Sequence, residues 1–294
     1  MIDEEVLNSQ EQTPVSHNNS LDSEAEYVNL PSGGVYYKGK FKGLDKLLVR
    51  KLNWTDEDIL TTKSFYENGT LYDVLLKRVI IDENKFNPLD LVTIDRDAIL
   101  WWLRIGAFGK EYTVPMKCKN KKDDGAICNY QIKATWDLAE FEIPDLKEEY
   151  AEEIHATGGV VITLPHTQLK CKVTVPSIGR VKEISKQYSA KKTKEKILYD
   201  FNNTIQLLSV IEEVYSSDGQ TISNRTEIYQ WLMKANNNKP LPMIDTRYII
   251  KKAKEISLKI ETAQDIICPD CNHVEEGVEM GMSIQFFWPD FEEM

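Results

Sequence analysis

At 294 residues, 41% hydrophobic and 10% aromatic, the chain has enough apolar surface for a sizeable core, as one large domain or two small ones. Its formal net charge of −11 opposes a generic nucleic-acid surface, which needs clustered positive charge. The opening residues carry Asp and Glu where a secretory signal would carry Lys or Arg and then an apolar run. The longest apolar stretch, Ala98 to Phe108, contains Arg104 and is too short to span a bilayer, so neither export nor membrane insertion is expected.

Residues 1–26 are polar and acidic, with Asn18-Asn19-Ser20 and no aromatic side chain, which predicts a disordered acidic tail. Order is expected from Tyr27, where Leu30-Pro31-Ser32-Gly33-Gly34-Val35-Tyr36-Tyr37 combines a turn with a short extended piece. Residues 27–110 then read as an N-terminal helical region. Its first helix starts after Trp54, with Thr55 as N-cap and Asp58 completing a short-armed capping box. Its second runs from Thr70 to Ile80, with Leu71, Val74, Leu75, Arg78 and Val79 on one stripe and Arg78 snorkelling. The third is capped by Asp95 and buries Ala98, Ile99, Trp102, Leu103, Ile105 and Ala107. Gly106 weakens it and Gly109 ends it. Trp101 and Trp102 are adjacent and cannot both face the same side of a core, so one of them is expected at a second contact.

Over residues 111–143 the period changes to two. Tyr112, Val114, Met116 and Cys118, then Tyr130, Ile132, Ala134, Trp136 and Leu138, alternate as two half-buried strands of a hairpin. Residues 144–263 form a middle hairpin and helical region. An acidic helix, Asp145 to Ala156, precedes strands Val160 to Leu164 and Leu169 to Val175, turned at Pro165-His166-Thr167-Gln168. Helices are predicted at Ser177 to Tyr188, Lys194 to Tyr215, Ser223 to Lys234 and Pro242 to Ile260, with Ser223 and Asp245 as caps. The Lys-rich stretch Lys182 to Lys196 reads as a solvated helix face. Residues 264–294 hold strands at Asp265 to Cys268 and Val274 to Phe287 and an aromatic C-terminus. The fold class is α+β: helical-bundle segments with small antiparallel β-hairpins, two of which form a zinc-ribbon-like subdomain.

That ribbon rests on cysteine spacing. Cys268-Pro269-Asp270-Cys271 is a CxxC unit, and Cys118 and Cys128 form a looser pair, each interrupting a strand–turn–strand pattern. Zinc takes four thiolates in a tetrahedron, and a tight turn supplies two of them, so two hairpins tip to tip would hold one structural ion per chain. The loop Lys119 to Ile127 would protrude while its ends stay close. Empty knuckles are the alternative. Redox chemistry would need a thioredoxin-like setting that is not visible, and disulfides an oxidising compartment. His273 could replace a cysteine, but Cys271 is better placed; Cys171 reads as a buried small side chain.

Catalytic chemistry finds no support. The four histidines, His17, His155, His166 and His273, lie outside any HExxH pattern, and there is neither a P-loop nor a GxSxG. Asp95-Arg96-Asp97 is better read as a helix start, with acids at the N-terminal dipole. The chain is expected not to be an enzyme.

The stretch Ile94-Asp95-Arg96-Asp97-Ala98-Ile99-Leu100, through Arg104-Ile105 and Phe108-Gly109 to Tyr112, resembles the central motif of the T-even-type (T4-like) bacteriophage baseplate protein family. Leu30-Pro31-Ser32-Gly33-Gly34 is similar to the family's opening. Leu164-Pro165-His166-Thr167 and Val181-Lys182-Glu183-Ile184 are similar to its middle hairpin, and Cys268-Pro269-Asp270-Cys271 with Phe286-Phe287-Trp288-Pro289 to its end. The resemblance covers residues 27–290 in order. It implies a non-enzymatic part of a contractile tail baseplate, assembled in the host cytoplasm and partnered by other baseplate and tail proteins.

Such a part works through protein surfaces. Phe286, Phe287, Trp288 and Phe291 are either core or interface anchors, and the exposed member of Trp101 and Trp102 is a second candidate anchor. Two other functions stay open: a tail assembly chaperone absent from the mature virion, and a zinc-ribbon nucleic-acid adaptor. The adaptor has only the lysines of residues 117–122 in its favour, against Asp123-Asp124 and the net charge.

Overall fold

The computed structural model describes residues 25–81, 85–122, 125–143, 145–216, 219–282 and 284–287. Most of the expected acidic tail, residues 1–24, lies outside them. Ala25 and Glu26, read as part of that tail, instead open strand β1 (Ala25–Asn29), which pairs antiparallel with β2 (Lys46–Arg50). The alternating Tyr27, Val28, Asn29 pattern extends back because Arg50 and Val49 supply partners for Ala25 and Glu26. The turn at Gly33-Gly34 follows, both residues having positive φ. Any Cβ at Gly34 would lie 2.3 Å from the backbone nitrogen of Leu44, so glycine is required there.

The first helical turn starts earlier than the Thr55 cap predicted. Asn53 caps a 3₁₀ turn at Trp54–Asp56, and the Asp56 side chain returns the bond to the Asn53 N–H at 2.9 Å. Asp56 is fully buried and also accepts both guanidinium arms of Arg50 at 2.8 Å and Arg78 Nε at 2.9 Å. Arg78, expected to snorkel, keeps a side chain 46% exposed and adds an ion pair to Asp56. Short helices α1 (Glu57–Thr61) and α2 (Lys63–Glu67) lead to α3 (Leu71–Val79), which buries Leu71, Leu75, Leu76 and Val79.

Helix α4 (Thr93–Phe108) ends at Gly109, with φ of 81°, as its sequence predicts. Its start differs. Val92 occupies the cap position, and Asp95 is the third helical residue. Its fully buried carboxylate accepts the Ser32 N–H at 2.8 Å, the Ser32 hydroxyl at 2.5 Å and the Tyr37 hydroxyl. The acid that looked like a local cap instead holds a loop 63 residues earlier. Burial pushes its pKa up, and the bonds from Ser32 and Tyr37 pull it back. At the other end of α4, buried Arg104 donates to the carbonyls of Gly109 at 3.0 Å and Glu111 at 3.2 Å, fixing the turn into β3 (Glu111–Lys117). The guanidinium sits 5.0 Å from the Phe108 ring centroid.

Strand β3 pairs antiparallel with β4 (Gln131–Asp137) in continuous register from Glu111–Asp137 to Lys117–Gln131. Helix α5 (Glu148–Thr157) follows, then β5 (Val160–Thr163) and β6 (Lys170–Val173) as the expected middle hairpin. Helix α6 (Ile178–Glu195) is capped by Ser177 and α7 (Asn202–Val210) packs on it. The long helix predicted to Tyr215 is corrected here. Residues Ile211–Tyr215 form strand β7, paired with β6, and β8 (Thr221–Ile222) completes a sheet of order β5-β6-β7-β8. Ile211 and Val214 suit either period; pairing of Val214 with Cys171 on the open side of β6 decides for strand.

Asn224, not Ser223, caps α8 (Arg225–Lys234), accepting from the N–H groups of Thr226 and Glu227. Asp245 is likewise not the cap of α9 (Met243–Glu255). It is the third residue, fully buried, and accepts the His166 N–H at 2.9 Å, the Thr167 N–H at 3.1 Å and the Thr167 hydroxyl at 2.7 Å. The chain closes with β9 (Gln264–Ile267) antiparallel to β10 (Val274–Val278) and a 3₁₀ turn at Ile284–Phe287. The last strand stops at Val278, short of the expected Phe287. Gly277 has a φ of 63° and the register shifts there, which turns the aromatic end inward. Buried apolar side chains from both halves join one core cluster. The structure is thus mixed helix and sheet, with small antiparallel sheets.

Two outcomes follow. Asp95→Ala leaves the Ser32 and Tyr37 donors buried without an acceptor and is expected to cost about 2–4 kcal/mol, read from urea denaturation. Burial raises the pKa of Asp56, but the Arg50 bond and the remaining partners outweigh it and hold the carboxyl below its ordinary range. Its contribution is therefore complete above an ordinary carboxylate pKa of about 4 and is lost as pH falls through the lower folded value. Urea midpoints measured from about pH 5 to 2 should show a shallower acid loss in Asp56→Asn than in the unaltered chain.

Candidate metal centre

The tips of the β3–β4 and β9–β10 hairpins meet at four cysteines. Cys118, Cys128, Cys268 and Cys271 place their sulfurs within 4.8 Å of one another. The Cys118–Cys271 separation is 3.6 Å and the Cys128–Cys268 separation 3.9 Å, both across the two hairpins. These are free thiols, and the distances are far beyond the roughly 2.05 Å of a disulfide.

Local structure explains how a loose pair and a tight pair do the same work. The chain between Cys118 and Cys128 doubles back on itself: Lys121 bridges Ile127, and the Lys122 N–H donates to the Ala126 carbonyl at 2.8 Å. The described residues of this loop thus pair with one another, while the Asn129 N–H donates to the Cys118 carbonyl at 3.1 Å and keeps the ends together. Cys268 and Cys271 are bracketed by the Asn272 N–H on the Cys268 carbonyl at 2.8 Å and the Cys268 N–H on the His273 carbonyl at 2.9 Å. The backbone of His273 thus closes the turn.

A feature shared by both turns was not recognised in the sequence. Cys128-Asn129 and Cys271-Asn272 are both Cys-Asn pairs, and each asparagine has a left-handed backbone, φ 54° and 55°. That conformation, which Asn tolerates better than most residues, brings the next N–H back towards the sulfur. The Tyr130 N–H acts on Cys128, the His273 N–H on Cys271 and the Asn120 N–H on Cys118, each two residues beyond its thiol.

Those N–H groups favour thiolate. The His273 N–H, with the Asn120 side-chain amide 3.5 Å from the sulfur, pulls the Cys271 thiol down to about 6. The Tyr130 N–H also lowers Cys128, but burial, Asp270 and the neighbouring thiols outweigh it and push Cys128 up to about 12. Four thiols this close cannot all ionise without a compensating cation. The donor set, its spacing and the N–H groups aimed at sulfur are compatible with a metal site. Buried Cys118 and Cys268 face half-buried Cys128 and Cys271. Asp270 is already engaged by Lys122 at 2.8 Å. Cys171, expected to be a small core side chain, is fully buried in β6.

The aromatic candidates divide differently. Trp101 is 7% exposed and packs on Phe141 and Phe286, at centroid distances of 4.8 and 6.5 Å. Phe286 and Phe287 are 0% and 2% exposed; Phe286 meets Tyr112 at 5.3 Å and Phe287 meets Tyr72 at 6.2 Å. All three side chains are buried, the turn after β10 carrying Phe286 back against Tyr112 and Phe287 against Tyr72. Of the adjacent tryptophans, Trp102 is the one left half-buried. Trp288 and Phe291 lie outside the described residues.

Among the described residues no helix is long and apolar enough to cross a membrane. The family model described as T4 bacteriophage base plate protein matches residues 24–288, and the chain belongs to that family. No curated protein and no solved structure matches it. Membership places it among structural proteins of the phage tail baseplate, whose partners are other baseplate and tail proteins.

Phe286→Ala is expected to lower stability by about 3–5 kcal/mol in a urea titration, the loss for a buried aromatic. Trp102→Ala, at a half-buried site, should cost clearly less in the same titration.

Proposed function

We propose that the protein is a subunit of a contractile tail baseplate that acts by shape-matched docking onto neighbouring baseplate and tail proteins, turning over no substrate. The observation that carries this is the family match across residues 24–288. Two features support docking. The described core ties distant segments into one body, which suits a part that must present fixed surfaces. Trp102, half-exposed on α4, offers a rigid aromatic of the kind that dominates interface energetics.

The same proposal assigns one structural zinc ion to Cys118, Cys128, Cys268 and Cys271. A tetrahedron with Zn–S bonds of about 2.3 Å has sulfurs about 3.8 Å apart. The cross-hairpin separations of 3.6 and 3.9 Å lie on either side of that value. Four cysteine ligands leave no open coordination position, so the ion would clip the hairpins and supply no reactive water. A nucleic-acid adaptor is less well supported, since Lys122, one of the lysines behind it, is paired with Asp270.

Two measurements test these halves separately. Mass spectrometry of purified complete tails is expected to find the protein at a fixed ratio to other baseplate proteins. Its presence in assembly intermediates and absence from complete tails would favour a tail assembly chaperone instead. Elemental analysis of purified full-length protein should give about one zinc per chain, and Cys268→Ser should remove most of it and lower the melting temperature. Metal-free protein with unchanged melting behaviour would remove zinc from the proposal while leaving the baseplate role standing.

A further inference from the structure

A basic groove stands out on this acidic chain. A cavity of about 660 Å³ lies between α9 and the segment leading into α5. Arg247, Lys251 and Lys254 follow one another at helical spacing on α9 and are all exposed. Half-buried Ile250 shares that face, half-buried Leu258 follows the helix, and exposed Lys147 beside half-buried Leu146 forms the opposite wall. The groove thus has an apolar floor and a basic rim.

Its cations are largely uncompensated. Glu255 lines the groove, but its carboxylate takes Lys252 Nζ at 2.7 Å and the Tyr150 hydroxyl at 3.1 Å. Lys251 approaches Glu255 only to 3.8 Å. Arg247, Lys254 and Lys147 form no ion pair among the described residues, leaving Asp145 as the other acid on the wall.

We propose that the N-terminal segment of the same chain, residues 1–24, docks in this groove. The segment carries Asp3, Glu4, Glu5, Glu11, Asp22 and Glu24 and no lysine or arginine. A large part of the net charge of −11 is therefore concentrated there. Ile2, Val6 and Leu7 interleave with its first acids and match the apolar floor, as the acids match the rim.

The reach is sufficient. The Tyr36 hydroxyl bonds to the Ile256 carbonyl, just past the end of α9. Ala25 is separated from Tyr36 by no more than about 40 Å of chain, and a segment the length of residues 1–24 can span roughly 80 Å. The contact covers a basic face that would otherwise attract polyanions. It holds whether the protein stays in the finished tail or leaves it.

Zero-length carbodiimide cross-linking of the full-length protein tests this, using an equal mixture of ¹⁴N- and ¹⁵N-labelled chains at low salt. The expected products join Asp3, Glu4, Glu5 or Glu11 to Lys147, Lys251 or Lys254 within single-isotope chains. Their yield should fall about fivefold or more at roughly 1 M salt, where the Debye length is about 3 Å. The exposed-site variant Arg247→Glu, checked for an unchanged melting curve, should lower the yield to Lys251 in the same direction. The salt series on the unaltered chain stands even if that variant misfolds. Cross-links scattered over lysines away from the groove, products mixing both isotopes, or a salt-independent yield would each overturn the proposal.

Discussion

The carboxylate of Asp95 sets how the first part of the chain meets the rest. It is fully buried, and its acceptor sites are taken by the Ser32 backbone, the Ser32 hydroxyl and the Tyr37 hydroxyl. A buried carboxylate is tolerable only when so fully bonded. The consequence is geometric. With Asp95 at the third position of α4, the favourable end of the helix dipole and the loop at Leu30–Tyr37 are fixed by the same atoms. The β1–β2 hairpin, joined to that loop, takes its place from it, and Arg104 transmits the other end of α4 into β3. From one carboxylate the constraint thus runs to the hairpin whose tip carries Cys118 and Cys128.

The device recurs. Asp56 and Asp245 also occupy the third position of a helical turn, are fully buried, and spend their oxygens on distant partners: Arg78 for Asp56, the turn at His166 and Thr167 for Asp245. A chain rich in acids has used three of them as internal fasteners between elements far apart in sequence. Each replaces what a larger continuous sheet would supply in another fold, since the sheets here have only two or four strands.

This is also why the sequence was legible in some places and not in others. The β3–β4 hairpin was readable because Tyr112, Ile132, Ala134 and Trp136 alternate inward with nothing competing. The Ser177 start of α6 and the Gly109 stop of α4 were readable, but the caps of α4, α8 and α9 were not. Asp95 and Asp245 have the right chemistry for caps, and nothing local reveals that their oxygens are committed elsewhere. Residues Ile211–Tyr215 kept a helical pattern of apolar positions and became a strand because β6 offered an open edge, a fact outside the window. The four metal-site candidates were found by spacing alone, whereas the repeated Cys-Asn pair, which shapes both turns, was present in the sequence and carried a signal of its own. The aromatic end was ambiguous because a terminal cluster of Phe and Trp looks the same before it is known which way the chain turns.

The two cysteine hairpins show how these constraints combine. Neither β3–β4 nor β9–β10 pairs with any other named strand, and an isolated two-stranded hairpin is marginal in water. Each therefore depends on contacts outside itself. At the base, Trp136 Nε1 donates to the Thr262 carbonyl at 3.0 Å, and Tyr112 packs on Phe286, so the hairpins are joined to each other and to α4. At the tips the four thiols meet, 140 and 153 residues apart across the paired sulfurs, beside the Lys122–Asp270 ion pair. Neutral thiols attract one another weakly and thiolates repel, so the Lys122–Asp270 pair and the Asn120 amide on Cys271 add to the contact. The base is held by apolar packing and a buried hydrogen bond, the tips by an ion pair and a thiol cluster compatible with a metal site. The two hairpins are therefore joined at both ends, at the root to α4 and at the tips to each other.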